Sequence, residues 1–250
     1  MTFRSTLSLP RSLSWLRSLQ RFIVKRGWIV ITTCWAAKGG SGCTSVAVSL
    51  AILARSPLDS PLLLDLGGDM AAVLGRPDPT GPGLSDWLAS EADVGPEALD
   101  RLVVDLDGYH LLSAGTASPT HFASGRIDQL MVWLAGQRSP VLVDAGCVDT
   151  PVSHALIDRA DRSLLVTRLC YLSMRRAVAS PRAATGVVLL REPGRSLKES
   201  DVASALNVAV VARLDVSAEI ARAIDAGLLE HRMPSSVRRA LAKVELGAAV

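Results

Sequence analysis

Residues 36–44 read AAKGGSGCT, a glycine-rich stretch whose residue types could bind phosphate. A phosphate-binding loop follows a strand, opens a helix and points consecutive backbone N–H groups at the anion. Thr44 stands where a hydroxyl can ligate Mg²⁺. Dinucleotide folds and plain tight turns carry similar glycines, so these alternatives stay open for the loop alone. The candidate binding residues are Lys38, Gly39, Gly40, Ser41, Gly42, Cys43 and Thr44.

The elements that position this loop follow from an alternation of short apolar runs with segments of helical length. This alternation predicts an α/β fold, with a mostly parallel, doubly wound sheet and helices on both faces. In such a sheet the ligand lies beyond the carboxyl ends of the strands. Four strand ends run into small residues, in AAKGGSG, DLGGD, SAGTASP and DAGCVDTP, so a crevice is expected there. The predicted strands are 28–35, 61–66, 109–115, 140–146, 163–168, 185–190 and 208–214, and the predicted helices are 44–55, 122–136, 150–159, 172–180 and 197–206.

The composition indicates one sizeable domain with short extensions, because the 250 residues are 49% apolar. Eight basic residues and no acidic one precede Asp59. The other 19 of the 27 Lys and Arg residues stand against 24 acidic residues, so the remainder has a net charge of −5. The negative charge of the chain from Asp59 onward, which we call the body, argues against nucleic-acid binding by this part.

The four cysteines show no CxxC spacing, which favours a reducing cytoplasm. The sequence has no uninterrupted run of about 18 apolar residues, so no membrane span is predicted. The basic residues near the start argue against a signal peptide.

Residues 11–26 have the composition of a helix that lies on an anionic membrane surface. They predict peripheral contact with an inner membrane or cell pole, or with a protein partner; packing on the body, disorder and residues without a role are the alternatives. A shorter version of this pattern has Val237, Leu241 and Val244 beside basic residues. We divide the chain into a basic amphipathic extension (1–27), a phosphate-loop domain (28–232) and a C-terminal tail or short helix (233–250).

The stretch KGGSG, with its early lysine, resembles the deviant phosphate loop of the ParA/MinD ATPases, whose pattern is KGGxGKT. The resemblance extends over about residues 28–230 and includes LLLDLGGDMAAVLG, VLVDAG, ADRSLLVTRLCYLSMRRA and VVARLDVSAEIARAIDAGLL. GPGLSDWLAS and IDAGLL are most similar to the CpaE/TadZ branch, whose members place and help assemble pili or mark division sites. The resemblance implies a P-loop NTPase fold of the SIMIBI/MinD-like type, a homodimer, and ATP with Mg²⁺ as ligands.

The resemblance also implies roles for particular residues. Lys38 would reach across the dimer to the nucleotide of the partner. Asp144, after the strand VLVDA, would hold Mg²⁺ through water beside Thr44; a carboxylate there can instead cap the next turn. Asp65 matches the first carboxylate of the family's second motif and is a candidate for catalysis.

Three departures from the family pattern fall on residues that do chemistry. Cys43 replaces the lysine that bridges the β- and γ-phosphates, and loss of one well-placed charge typically removes a factor of ~10² to 10³ in rate. Gly67 replaces the carboxylate that orients the attacking water, which Asp69 could replace only if the turn folds back. Leu190 and Arg191 stand where the family has an adenine-reading asparagine.

These losses lead to the hypothesis of a degenerate nucleotide site that binds ATP and Mg²⁺ weakly or not at all. The protein would then be a dimerising spatial or assembly factor for pilus secretion or septum placement, with partners in that machinery, rather than an enzyme. One alternative is a slow ATPase in which Lys38 and Asp69 replace the missing groups and ATP drives a dimer switch. A DNA-partitioning protein is a further alternative that the charge of the body disfavours.

Several other residues carry competing interpretations. A helix N-terminus is expected to lower the pKa of Cys43. Cys34 and Cys147 could approach the same site and form a redox switch or metal site, but we favour a tolerated small residue at position 43. Arg175 and Arg176 lie where related proteins contact partners, although a solvated helix face explains them too. No ligand pattern is found for His110, His121, His154 and His231.

Overall fold

Eight strands form one sheet in the computed structural model, which describes residues 30–92, 94–117, 122–147 and 149–244. Their order across the sheet is β3-β4-β2-β5-β1-β6-β7-β8. All neighbours are parallel except β3 and β4. The strands are β1 (Ile31–Trp35), β2 (Leu62–Asp65), β3 (Val104–Asp105), β4 (His110–Ser113), β5 (Val141–Gly146), β6 (Arg162–Arg168), β7 (Gly186–Arg191) and β8 (Val210–Asp215).

The predicted α/β fold class is confirmed, and each of the seven predicted strands is present. The additional strand, β3, was not predicted; it has only two residues, both exposed. The helices are α1 (Cys43–Ala54), α2 (Met70–Val73), α3 (Leu84–Ala89), α4 (Arg126–Ala135), α5 (Pro151–Asp158), α6 (Tyr171–Ala179), α7 (Glu199–Leu206), α8 (Ala218–Asp225), α9 (Leu229–Arg232) and α10 (Ser235–Leu241), with a 3-10 helix at Pro96–Arg101.

Both faces of the sheet are covered because successive strand residues point to opposite sides. Leu63 of β2 packs in the cluster that contains α1, α2, α8, α9 and α10. Its neighbour Leu64 packs in a second cluster with α3, α4 and α5. On this second face α6 and α7 cover β7, where Met174 and Val202 bury Val187 and Leu189. The carboxyl ends of the central strands are thus left as the place where loops can meet.

The C-terminal segment is a packed helix. Val237 and Leu241 of α10, and Val244 just after it, are 3%, 0% and 6% exposed and pack in the cluster around α1. The apolar side chains of this shorter amphipathic pattern are therefore part of the core and do not form an exposed face. The extension 1–27, with the membrane contact predicted for 11–26, lies outside the described residues. Within the described part of the chain, no helix combines the length and apolarity needed to cross a bilayer.

Two turns far apart in sequence touch through bare backbone. Gly75 (φ 71°) follows α2 and Gly227 (φ 63°) precedes α9. A Cβ at Gly75 would lie 2.1 Å from the carbonyl oxygen of Gly227. Glu230 adds polar contacts here, since its carboxylate pairs with Arg76 at 3.4 Å and accepts a hydrogen bond from the Tyr109 hydroxyl at 3.3 Å. The segment after β2 is therefore held against the segment between α8 and α9.

Candidate functional site

The glycine-rich loop connects β1 to the first turn of α1. Gly40 (φ 72°) and Gly42 (φ 86°) both adopt left-handed backbone conformations, which glycine reaches without strain. The Ser41 hydroxyl donates to the carbonyl oxygen of Lys38 at 2.6 Å and closes the loop. Gly42 is the N-cap of α1 and no side chain caps the helix. Since the first N–H groups of a helix lack intrahelical acceptors, the loop fits an anion.

The loop borders an open crevice of about 630 Å³ at the carboxyl ends of the strands. The crevice brings together the whole predicted phosphate-binding set, Lys38, Gly39, Gly40, Ser41, Gly42, Cys43 and Thr44. Asp69 borders it from the turn after β2, and Ile224 and Asp225 border it from α8. Ile224 and Asp225 belong to the IDAGLL motif but were not predicted as site residues, because a helix that reaches the site from a remote part of the chain carries no local signal of doing so.

The Cys43 side chain lies low in the crevice, 6% exposed. Burial, and then the charge of the neighbouring Asp144 carboxylate, raise the pKa of the Cys43 thiol well above its ordinary value. The N–H of Gly146 opposes this rise only in part. The prediction of a lowered pKa is therefore wrong, because desolvation and a like charge outweigh the helix N-terminus.

Asp144 is fully buried and does not border the crevice. Its Oδ1 accepts a hydrogen bond from the N–H of Gly146 at 2.9 Å, as the turn-capping alternative requires. Its Oδ2 has no hydrogen-bond partner of good geometry among the described residues. A Cβ at Gly67 would lie 3.1 Å from this oxygen. The carboxylate thus sits beneath Cys43 and Gly67, and its role toward magnesium stays a prediction.

Asp65 is 2% exposed at the end of β2 and organises the turn that follows. Its carboxylate accepts hydrogen bonds from the N–H of Gly68 at 2.7 Å and of Met70 at 2.9 Å. Burial raises the pKa of Asp65 to about 6; these N–H groups lower it in part and the charge of Asp144 adds to the rise. The turn folds back over Asp65, so that Asp69 reaches the crevice.

The buried Asp65 predicts a dependence of stability on pH. Its pKa rises from an ordinary 3.8 to about 6 in the folded protein, so the folded state binds more protons between these values. Stability due to this group is present below pH 4 and is lost as the pH rises through 6. Lowering the pH from 7 to 5 should raise the free energy of unfolding by about 1 kcal/mol more in the wild type than in Asp65→Asn. Urea denaturation with a chelator present measures this difference.

Asp69→Asn is the matched control, because it changes an exposed carboxylate of the same turn. It should keep the pH dependence of the wild type. If Asp65→Asn also keeps the full dependence, another group is responsible for it.

The other predicted residues are placed as follows. Cys34 is buried and pairs in register with Asp144, and Cys147 is exposed beside the loop, with its Sγ 3.5 Å from a Cβ at Gly39. In the described part of the chain no group of three or more His, Cys, Asp or Glu side chains could hold a metal ion. His154 does have a carboxylate partner, since its Nε2 lies 2.5 Å from Asp149. His110, His231, Arg175 and Arg176 are exposed, and His121 lies outside the described residues.

Leu190, at the position where the family has asparagine, packs on the loop itself. A Cβ at Gly42 would lie 2.7 Å from Cδ2 of Leu190. On the far side of this contact is a second cavity of about 240 Å³, between the ends of β7 and β8 and helix α8. The loop is therefore flanked by two cavities, the crevice at its front and the cavity beside Leu190.

No protein-family model matches the chain, and no curated protein sequence does. Solved structures do match. The ParA family ATPase from Chlorobium tepidum TLS has a TM-score of 0.67 at 17% identity, over 88% of this chain and 99% of that one. The cell division ATPase MinD from Pyrococcus furiosus has a TM-score of 0.65 at 19% identity, over 88% of this chain and 97% of that one.

The septum site-determining protein MinD from Pyrococcus horikoshii OT3, solved with Mg-ADP, has a TM-score of 0.64 at 17% identity, over 86% of this chain and 94% of that one. Matches at such low identity establish the architecture of the chain. The protein has the P-loop fold of the ParA and MinD ATPases.

Proposed function

We propose that the protein belongs to the ParA/MinD family, in its CpaE/TadZ branch, and acts as a spatial or assembly factor rather than as an enzyme. Its setting would be pilus secretion of the Flp/Tad type or septum-site determination. The observation that supports this most directly is Cys43, a thiol buried against Asp144 where the family has its phosphate-bridging lysine. The loop keeps the backbone geometry of a phosphate-binding loop, but position 43 lacks the positive charge that would act on the phosphates.

The residues of the crevice suit the binding of an anion better than its hydrolysis. Backbone N–H groups of the loop, Lys38 and the Thr44 hydroxyl would hold phosphates; Mg²⁺, when bound, would neutralise their charge. Phosphoryl transfer needs positioned charges around the transferred group. Of the carboxylates Asp65, Asp69 and Asp144, only Asp69 borders the crevice. We therefore propose that ATP and Mg²⁺ bind weakly and turn over poorly.

One arrangement favours a second candidate, a slow ATPase with an ATP-driven dimer switch. Lys38 and Asp69 both border the crevice, so a cation and a carboxylate are available where the family pattern has lost Lys and Asp. In a homodimer the Lys38 of each subunit could act on the nucleotide of the other.

Phosphate release and oligomeric state together test the two candidates. The purified protein should release no phosphate from Mg-ATP above background, because no fixed charge at position 43 faces the transferred group. Light scattering with and without Mg-ATP reports the monomer–dimer equilibrium. Steady release that Thr44→Ala and Asp144→Asn abolish would contradict the proposal. If Mg-ATP neither binds nor shifts the equilibrium, the slow ATPase is excluded.

Helix α6 is the surface that best suits a protein partner. Tyr171, Leu172 and Val178 are 71%, 53% and 57% exposed, and Arg175 and Arg176 are exposed beside them. Exposed apolar side chains on the same helix as two exposed arginines have the composition of a docking site. We propose that machinery of pilus secretion or division binds here, in the cytoplasm, with residues 11–26 supplying any contact with the inner membrane at a cell pole.

A further inference from the structure

The two cavities beside the loop are continuous in their lining. The cavity beside Leu190 and the phosphate crevice share Gly42 of the loop, Ser45 of α1, and Ile224 and Asp225 of α8. A ligand with an anionic end in the crevice could therefore extend past Gly42 into the second cavity.

The second cavity has a mostly apolar wall. Leu190 and Leu214 come from the ends of β7 and β8, Val216 from the turn that follows, and Ile220 and Ile224 from α8. Val216, which directly follows β8, is 38% exposed. Flat apolar groups bind in such cavities by contact and by release of water.

Two of the charged side chains that reach the second cavity are already paired with neighbours. Asp215 lies 2.8 Å from the Arg191 guanidinium. Arg168 lies 2.6 Å from Glu192. These ion pairs engage part of the hydrogen-bonding capacity that could otherwise read the edge of a ligand ring; the Nε of Arg168 has no hydrogen-bond partner among the described residues, and Asp225 is a third charged side chain in the lining.

The hydroxyl groups along the cavity are engaged in the same way. The Ser49 hydroxyl donates to the carbonyl oxygen of Ser45 at 2.7 Å. The Ser217 hydroxyl caps α8 by accepting from the N–H of Ile220 at 3.4 Å. The cavity therefore offers contact surface and few groups with which to recognise a pattern of donors and acceptors.

We propose that the two cavities hold one nucleoside polyphosphate, whose base lies against Leu190 and Ile220 chiefly by apolar contact, so that the site distinguishes little among bases. This inference rests on the proposed function in one respect, that the loop still binds phosphate. A pocket built on hydrogen bonds rejects the wrong ligand by about 10⁴-fold or more, whereas an apolar pocket discriminates far less. Leu190, which stands where an amide could read a base edge, is the residue that sets this lack of specificity.

Titration of the full-length protein with ATP, GTP, CTP and inorganic pyrophosphate tests the proposal. The three nucleotides should bind with dissociation constants within about threefold of one another. Pyrophosphate, which lacks a base, should bind at least about tenfold more weakly than ATP. Saturation-transfer difference NMR should show the base protons of each nucleotide receiving magnetisation from protein methyl groups.

Ile220→Asp places a charge in the apolar wall and should weaken ATP at least about tenfold while leaving pyrophosphate unchanged. Ala218→Asp adds the same charge to an exposed position of α8 that does not border the cavity, and should bind like the wild type. Thermal melting establishes whether both variants fold. The titrations of the wild-type protein test the proposal independently of either variant.

More than tenfold preference for ATP over GTP, or pyrophosphate binding as tight as ATP, would overturn the inference. So would the absence of any nucleotide binding, and in that case the non-enzymatic function proposed above still stands. Conversely, steady ATP hydrolysis would remove the proposed function and leave the equal binding of the three nucleotides intact.

Discussion

A Cys43→Lys variant should bind Mg-ATP about 10- to 100-fold more tightly than the wild-type protein, since charge-assisted hydrogen bonds contribute about 1.5–3 kcal/mol. Cys43 borders the crevice at the first position of α1, so a longer side chain can extend toward the phosphates. Buried Asp144 beneath it would orient and stabilise the ammonium group. Calorimetric titration of both proteins under the same salt conditions measures the gain.

Cys43→Met is the matched control, because it adds length without adding charge. It should bind no more tightly than the wild type. If Cys43→Lys folds, as judged by its melting transition, and yet gains nothing, then the loop is not a phosphate cradle. If it gains both binding and turnover, the backbone of an active site is intact and only its chemistry has been lost.

A Gly75→Val variant should lose at least about 3 kcal/mol of unfolding free energy. Two penalties act together. The backbone at Gly75 has φ 71°, which a β-branched residue adopts only with strain. The new Cβ would also lie 2.1 Å from the carbonyl oxygen of Gly227, so the two turns would have to move apart. Urea denaturation followed by circular dichroism measures the loss.

Gly194→Val separates these two penalties. Gly194 has nearly the same φ, 75°, but a Cβ there would meet nothing within 4 Å. It should lose only about 1–2 kcal/mol, which is the conformational penalty alone. Equal losses in the two variants would show that the contact between the turns contributes nothing.

The sequence predicted well those features that depend on local pattern. The apolar runs, such as that around Leu63 and Leu64, predicted the sheet, and the glycines after β1 predicted the crevice. Whether Asp69 reaches the crevice depends on whether the turn after β2 folds back. The hydrogen bonds that the Asp65 carboxylate accepts from Gly68 and Met70 determine the shape of this turn. Those bonds can be suspected from sequence but need the turn geometry to be established.

Features that depend on packing between remote segments could not be predicted. The pKa of Cys43 depends on the burial of its side chain and on Asp144, about a hundred residues further along the chain, so the helix N-terminus alone predicts a shift of the wrong sign. Leu190 was recognised as a departure from the family pattern, but its contact with Gly42 and the apolar cavity beyond it appear only when β7 and α1 are placed side by side.

The contact between Gly75 and Gly227 also constrains how this chain can vary over evolutionary time. Neither turn has room for a side chain while the other keeps its position. An insertion or substitution at one turn therefore has to be accompanied by a shift at the other, although about 150 residues separate them. Among chains that share this architecture, the two turns should change together or not at all.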